Sequence, residues 1–415
     1  MRGPSSVAGA RRTPAGSARR TGIVRRRDPE APHRTVTPLE LLFDLAFVVA
    51  FGQAADQLSH HLIDSRVETG IVGFVYAIFA IASVWVSFTW FTSAFGMDDW
   101  LYRAATMVQM IGVVVLALGL PAMFASLDQG GAVDARGMVA GYVVMRLATV
   151  VQWLRLAVHD PAARRSALLH AALVSGVLAG WFVLVLVEPT VGVFFTVAAL
   201  LFAGEISGTR IVEKQNGPVP WHAGHVAERF GLLAIVALGE GVFGTVASVS
   251  AIVQGAGWSP EAVTIVVAGI GLTFGLWWMY FLIPAADALR SDRRKAQPLI
   301  YLHLILYAAI VATGAGLHVA AYAVEGRAPF GTLGTVVATA VPVAVLCTAV
   351  MLTYSYLRGT FDVLHGWLFA VTAVVLLLAG ALAAGGAPLA VCLLVVTAAP
   401  LVSVVGDEVA QRGRQ

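Results

Sequence analysis

From residue 39 onward, apolar runs of about twenty residues alternate with short polar breaks, the length that crosses a hydrocarbon core about 30 Å thick. Twelve such runs fall near 39–58, 70–95, 103–126, 137–157, 166–187, 190–209, 226–252, 261–284, 298–323, 331–356, 364–384 and 387–406. They predict an all-α, polytopic membrane bundle of about twelve transmembrane helices. Charged positions inside these runs are the informative ones, because a charge at bilayer depth is costly unless it is paired or neutralised. The first run, "LELLFDLAFVVAFGQAADQ", carries Glu40 and Asp44 one helical turn apart on one face.

Composition agrees with the pattern. Hydrophobic residues make up 58% of the 415-residue chain and charged ones 12%, with a mean hydropathy of +0.81; a soluble domain carries about 25% charged residues. Residues 1–36 stand apart, rich in Arg, Pro, Gly and Ser with no apolar periodicity, and read as a disordered basic tail near anionic lipid. Their Arg pairs are followed by a full span, where an export signal would have a short apolar region. Cys347 and Cys392 sit inside apolar runs and read as core residues; neither a metal site nor a cofactor site is indicated.

The basic residues also orient the chain. With the N-terminus inside, the internal loops and C-terminal tail hold fourteen Arg and Lys, Arg229 counted among them, and the external loops only Arg66, Arg136 and Arg327. By the positive-inside rule both termini are expected in the cytoplasm, with the spans in the plasma membrane.

A weak internal repeat is visible. Glu40 opens the first span and Glu228 the seventh; Trp90 ends the second and Trp278 the eighth; both pairs are 188 residues apart. The reading is a basic tail (1–36), two six-helix units in parallel orientation (37–212 and 213–406) and a short cytoplasmic tail (407–415). The same offset sets Gly52-Gln53 against Glu240-Gly241, about 12 residues into their spans and roughly 18 Å deep at 1.5 Å per residue. Glu240 lies in "LGEGVFG", where glycines permit close helix approach or local unwinding. Gly-interrupted segments at matching places in two halves point to a transporter's central site.

Candidate ligands for a small solute, proton or cation are therefore Glu240, Gln53, Asp44, Glu40, Arg146, Glu228 and His303. Thr37, Pro38 and Glu40 form a T-x-x-E start that explains Glu40 as a helix cap. Asp44 needs a deeper partner, for which Arg146 in the fourth span is the candidate; Glu205 is another possible partner of Arg146. His303 and His318 are 15 residues apart, roughly 22 Å along a helix, which excludes a shared metal. No nucleophile constellation, phosphate loop or nucleic-acid motif appears.

"TPLELLFDLAFVVAFGQ", "ERFGLLAIVALGEGV", "WWMYF" and "YLHLILYAAIVATGAGLH", in that order, resemble the bacterial low temperature requirement A (LtrA) family, leaving out the N-terminal tail and the last two spans. In "WWMYFLIPAAD", Leu282 and Ile283 stand where the family has an acid, and Asp287 comes later. The resemblance implies a multi-pass bacterial membrane protein linked to growth in the cold and supplies no substrate. The repeat, the midplane acid and the intramembrane charges together favour an ion-coupled secondary transporter or permease and not an enzyme. A non-transporting structural or stress-adaptation protein, and a membrane enzyme acting on lipid or carrier substrates, remain as alternatives.

Overall fold

A computed structural model describes residues 25–31, 34–96, 98–360 and 363–412. Twelve long apolar helices are present among them. They are α1 (Pro38–Ile63), α2 (Val67–Ala94), α3 (Trp100–Gln129), α4 (Arg136–His159), α5 (Arg164–Val187), α6 (Val191–Asn216), α7 (Ala223–Ala256), α8 (Pro260–Phe281), α10 (Ala296–Val324), α11 (Gly331–Arg358), α12 (Val363–Ala384) and α13 (Leu389–Arg412), with a short α9 (Ala285–Ser291) after α8. Local chemistry sets their ends. Thr37 and Glu40 cap α1 reciprocally, the Asp99 side chain takes the Tyr102 N–H to start α3, and Ser259 with Pro260 starts α8. Gly130 and Gly359 close α3 and α11 in the left-handed conformation, which glycine adopts without a Cβ clash.

The helices run alternately up and down, so the start of α1 and the end of α13 lie at one end of the bundle, here the tail end; the opposite end is the far end. Helix α1 packs on α7 and α10, which together form the centre; α2, α3, α8 and α11 surround them, α4 and α13 pack outside these, and α5, α6 and α12 are peripheral. Within residues 37–216 and again within 223–412, the first helix packs on the second and third, the third on the fourth, and so on in series. The halves differ at the last helix, since α13 packs directly along α8. The boundaries at 212 and 407 fall inside helices: α6 continues to Asn216 and α13 to Arg412, because their last turns are polar and extend beyond the apolar run. The basic loop after α8 likewise folds into α9 and a 3₁₀ turn, Arg293–Lys295.

The N-terminal tail differs from expectation in part. Residues 1–24 lie outside the described residues, but 25–31 and 34–37 lie against the tail end. Arg25–Arg26 pair with Phe95–Gly96 as a two-residue antiparallel ribbon, and Arg26 reaches Asp160 at 2.7 Å. Arg34 donates to the carbonyls of Thr92 (2.6 Å) and Ser93. The physical reason is the end of α2, whose last carbonyls have no partner within their own helix and need donors from elsewhere. His222 adds a bond to the Ala31 carbonyl and Arg293 one to Glu30, both 2.8 Å.

Candidate functional site at the seam of α1, α7 and α10

The acids of α1 meet bases of α7. Glu40 and Asp44 occupy successive turns of α1; His225 and Arg229 occupy successive turns of α7, which runs parallel to it. Glu40 Oε1 stands 3.2 Å from His225 Nε2 and 3.5 Å from Arg34 Nη2, while its Oε2 accepts the Thr37 N–H at 2.8 Å. Burial lowers the Arg34 guanidinium, which lies before the span, to about 10. One turn deeper, Arg229 Nη2 donates to Asp44 Oδ1 at 2.7 Å and to Thr89 Oγ1 at 3.3 Å, and Trp85 Nε1 donates to the same Asp44 oxygen at 2.6 Å. The Arg229 side chain is 0% exposed and that of Asp44 2%, so the pair is screened by the rings of Trp85 and Phe88, each centred 5.5 Å from the guanidinium carbon. Salt at the membrane surface cannot weaken a contact so enclosed.

Arg146 is therefore not the partner of Asp44. It pairs with Glu205 of α6 at 2.7 Å, and Tyr142 donates to the other Glu205 oxygen at 3.0 Å. Arg229, placed by its sequence position among the internal basic residues, is wholly inside α7 instead. Its signal was available: "HVAERF" sets two bases four residues apart, matching the spacing of the two acids in "ELLFD". Glu228, next to it, is exposed on the outer face of α7 and takes no part in the seam. His303 is buried and satisfied, with Nδ1 on the Leu299 carbonyl at 2.8 Å and Nε2 on the Tyr280 hydroxyl at 2.9 Å. Asp287 is exposed on α9 and pairs with Arg290 at 3.1 Å.

Glu240 sits deeper still, 17 residues along the 34-residue α7, where three helices come close. A Cβ at Gly52 would lie 3.1 Å from Glu240 Oε1, so the carboxyl faces the bare backbone of α1. A Cβ at Gly314 of α10 would lie 2.6 Å from Glu240 Cβ, and one at Gly244 would lie 2.8 Å from the Gly314 carbonyl. The "LGEGVFG" run stays helical, and Gly241 and Gly244 serve close approach to α8 and α10, not unwinding. Glu240 is 3% exposed and makes no hydrogen bond or ion pair with the described residues. Gln53 is half-buried beside Gly52. One turn toward the far end, Asp56 stands 3.4 Å from His60 Nε2, and Tyr322 of α10 is 3.3 Å from the same nitrogen; Asp56 and His60 are 44% and 43% exposed.

The geometry defines a class: a twelve-helix membrane protein whose central seam has paired charges at one end and an unpaired acid at mid-depth. The family model of the bacterial low temperature requirement A protein (LtrA) matches residues 35–400, so the chain belongs to that family. The match begins beside Arg34, runs through α12 and enters α13, further than the motifs alone reach. No curated protein matches the chain.

Proposed function

We propose that the protein is an ion-coupled secondary transporter or permease for a small solute or ion, with Glu240 as the coupling acid. The observation that carries this reading is the isolation of Glu240: a buried carboxyl at mid-depth, facing glycine, without a counter-charge among the described residues. Such a group calls for a proton or a bound cation. Asp56, His60 and Tyr322 continue the polar seam toward the far end, whereas the Asp44–Arg229 and Glu40–His225 contacts close it toward the tail end. A duplicated six-helix unit, 37–212 and 213–406, fits as well: Gly52 and Glu240 are equivalent at the 188-residue offset, and equivalent positions of two units meet at the axis relating them. We place the tail end in the bacterial cytoplasm, with both termini, because Arg103, Arg155, Arg164, Arg165 and Arg293–Lys295 lie there. The partners on this reading are the bilayer, a proton or cation, and one small solute, with neither nucleic acid nor an enzymatic reaction.

The test is flux into proteoliposomes under an imposed pH or sodium gradient, across a panel of small solutes and ions. Glu240→Gln keeps size and hydrogen-bonding capacity but cannot titrate; it should fold normally and lose gradient-driven flux. A folded Gln variant with wild-type flux removes Glu240 from the mechanism. The pairing of Glu40, Asp44 and Arg146 favours a second reading, a non-transporting membrane protein held rigid by these contacts; absence of flux from the wild type for every solute would support it.

A further inference from the structure

Away from the seam, α6 leans off the bundle. It touches α2 through aromatic side chains in the half nearer the far end, where Phe79 and Phe202 lie 4.7 Å apart edge to face and Tyr76 meets Phe194 at 5.5 Å. Toward the tail end the two helices part, and a cavity of about 170 Å³ opens between α2, α4, α5, α6 and α10. The corresponding place in the second half is filled. There a Cβ at Gly271 or Gly275 of α8 would lie 3.0 Å from Thr397 or 2.9 Å from Pro400 of α13, so the two helices touch backbone to side chain. At the 188-residue offset, Gly271 and Gly275 correspond to Ser83 and Ser87, and both serines line the cavity. The gap is thus a specific departure of the first half from the packing of the second.

Its walls are aromatic, with Phe79, Trp90, Phe91, Trp153, Phe202 and Tyr301 among the lining residues. Its charges are unequal. At the deep end Arg146 and Glu205 neutralise each other at 2.7 Å, and the Arg146 nitrogens without a hydrogen-bond partner are covered by neighbouring atoms. At the tail-end side Glu213 is half-buried and has no cation within ion-pair distance among the described residues. One carboxylate in an otherwise neutral, aromatic-walled space favours a positive guest, which gains from the charge and from the ring faces together. A water needs about 10–15 Å³ on the same measure of volume, so the space takes a guest of about ten non-hydrogen atoms.

We propose that this cavity binds a small organic cation with an apolar or aromatic body, its charge held by Glu213 and its body against the Trp90, Trp153 and Phe202 rings. The site is separate from Glu240, and binding is read without a gradient, so it stands or falls independently of transport. The experiment uses the full chain in phosphatidylcholine nanodiscs, titrated calorimetrically with benzyltrimethylammonium and, as comparison, with 3-phenylpropionate. Saturable binding of the cation, at least tenfold tighter than the anion, is expected. Glu213→Gln should weaken it tenfold or more, and Ser87→Phe, which fills the cavity from α2 and leaves Glu213 in place, should abolish it. Tighter binding of the anion, no saturable binding of the cation, or undiminished affinity in a folded Glu213→Gln or Ser87→Phe protein would each overturn the assignment.

Discussion

Asp44→Ala removes the one acid bonded to Arg229 among the described residues and strands the guanidinium in a place where its side chain is 0% exposed. Taking one partner from a buried ion pair costs about 3–5 kcal/mol, because the remaining charge has neither water nor counter-ion. The Trp85 N–H, 2.6 Å from the same carboxylate oxygen, loses its acceptor too; an unsatisfied buried donor adds about 1–3 kcal/mol. Arg229→Met is expected to do less harm, since a carboxyl left alone can neutralise itself by taking a proton and a guanidinium cannot give one up. Replacing both, as Asp44→Ala with Arg229→Met, removes the desolvation penalty together with the attraction and should be milder than Asp44→Ala alone. Equilibrium unfolding in mixed micelles would measure the four proteins of this cycle. A coupling energy of about 1–3 kcal/mol between contacting residues is expected. Losses that add within about 0.5 kcal/mol would show that the pair carries no coupling and would refute the reasoning.

Two further outcomes are open to direct test. The glycines should separate by what faces them: Gly314→Ala meets Glu240 at 2.6 Å and should cost about 1–3 kcal/mol by overpacking, whereas Gly239→Ala meets nothing within 4 Å and should stabilise α7 by up to about 1 kcal/mol; equal effects at the two positions would contradict the close crossing. For sidedness, cysteine at Ser291 (tail end) should be shielded from an impermeant thiol reagent in intact cells and cysteine at Gly131 (far end) should react, over a low background because Cys347 and Cys392 are buried; the reverse pattern would invert the orientation.

The bundle was legible because its signal is periodic and long: twenty apolar residues in a row have few ways to satisfy their backbone in a membrane other than a helix. Helix ends were less so, since polar last turns such as those of α6 and α13 carry no hydropathy signal. The position of Glu240 midway along α7 followed from counting residues, whereas its contact with Gly52 came only from the packing of α1 on α7. The partner of Asp44 did not follow from counting either, because pairing across helices depends on which faces meet. Arg146 and Arg229 are both single cations in apolar surroundings, and only the packing of α1 against α7, with α4 turned toward α6, distributes them. The docking of Arg34 was hidden for a different reason. A segment too polar to build a core can still be ordered by what the bundle leaves unsatisfied, here the last carbonyls of α2.

The distribution of charge along the seam bears on how the molecule could move. Glu40–His225 and Asp44–Arg229 join the same two helices on successive turns, so any separation of α1 from α7 at the tail end must break both contacts. Each broken contact would expose groups now 2% exposed or less, and water entering the gap would repay most of the lost attraction, since the charges were desolvated to begin with. A closure of this kind is tight while dry and inexpensive to open once wetted. At mid-depth the seam has no such lock. Glu240 faces the bare backbone of Gly52 and Gly314, and glycine contacts slide with little penalty because no side chain has to change rotamer. An opening at the tail end would part Glu40 and Asp44 from their partners and let water down the seam toward Glu240, which on the proposed transport reading is where a coupling ion would be taken up and released.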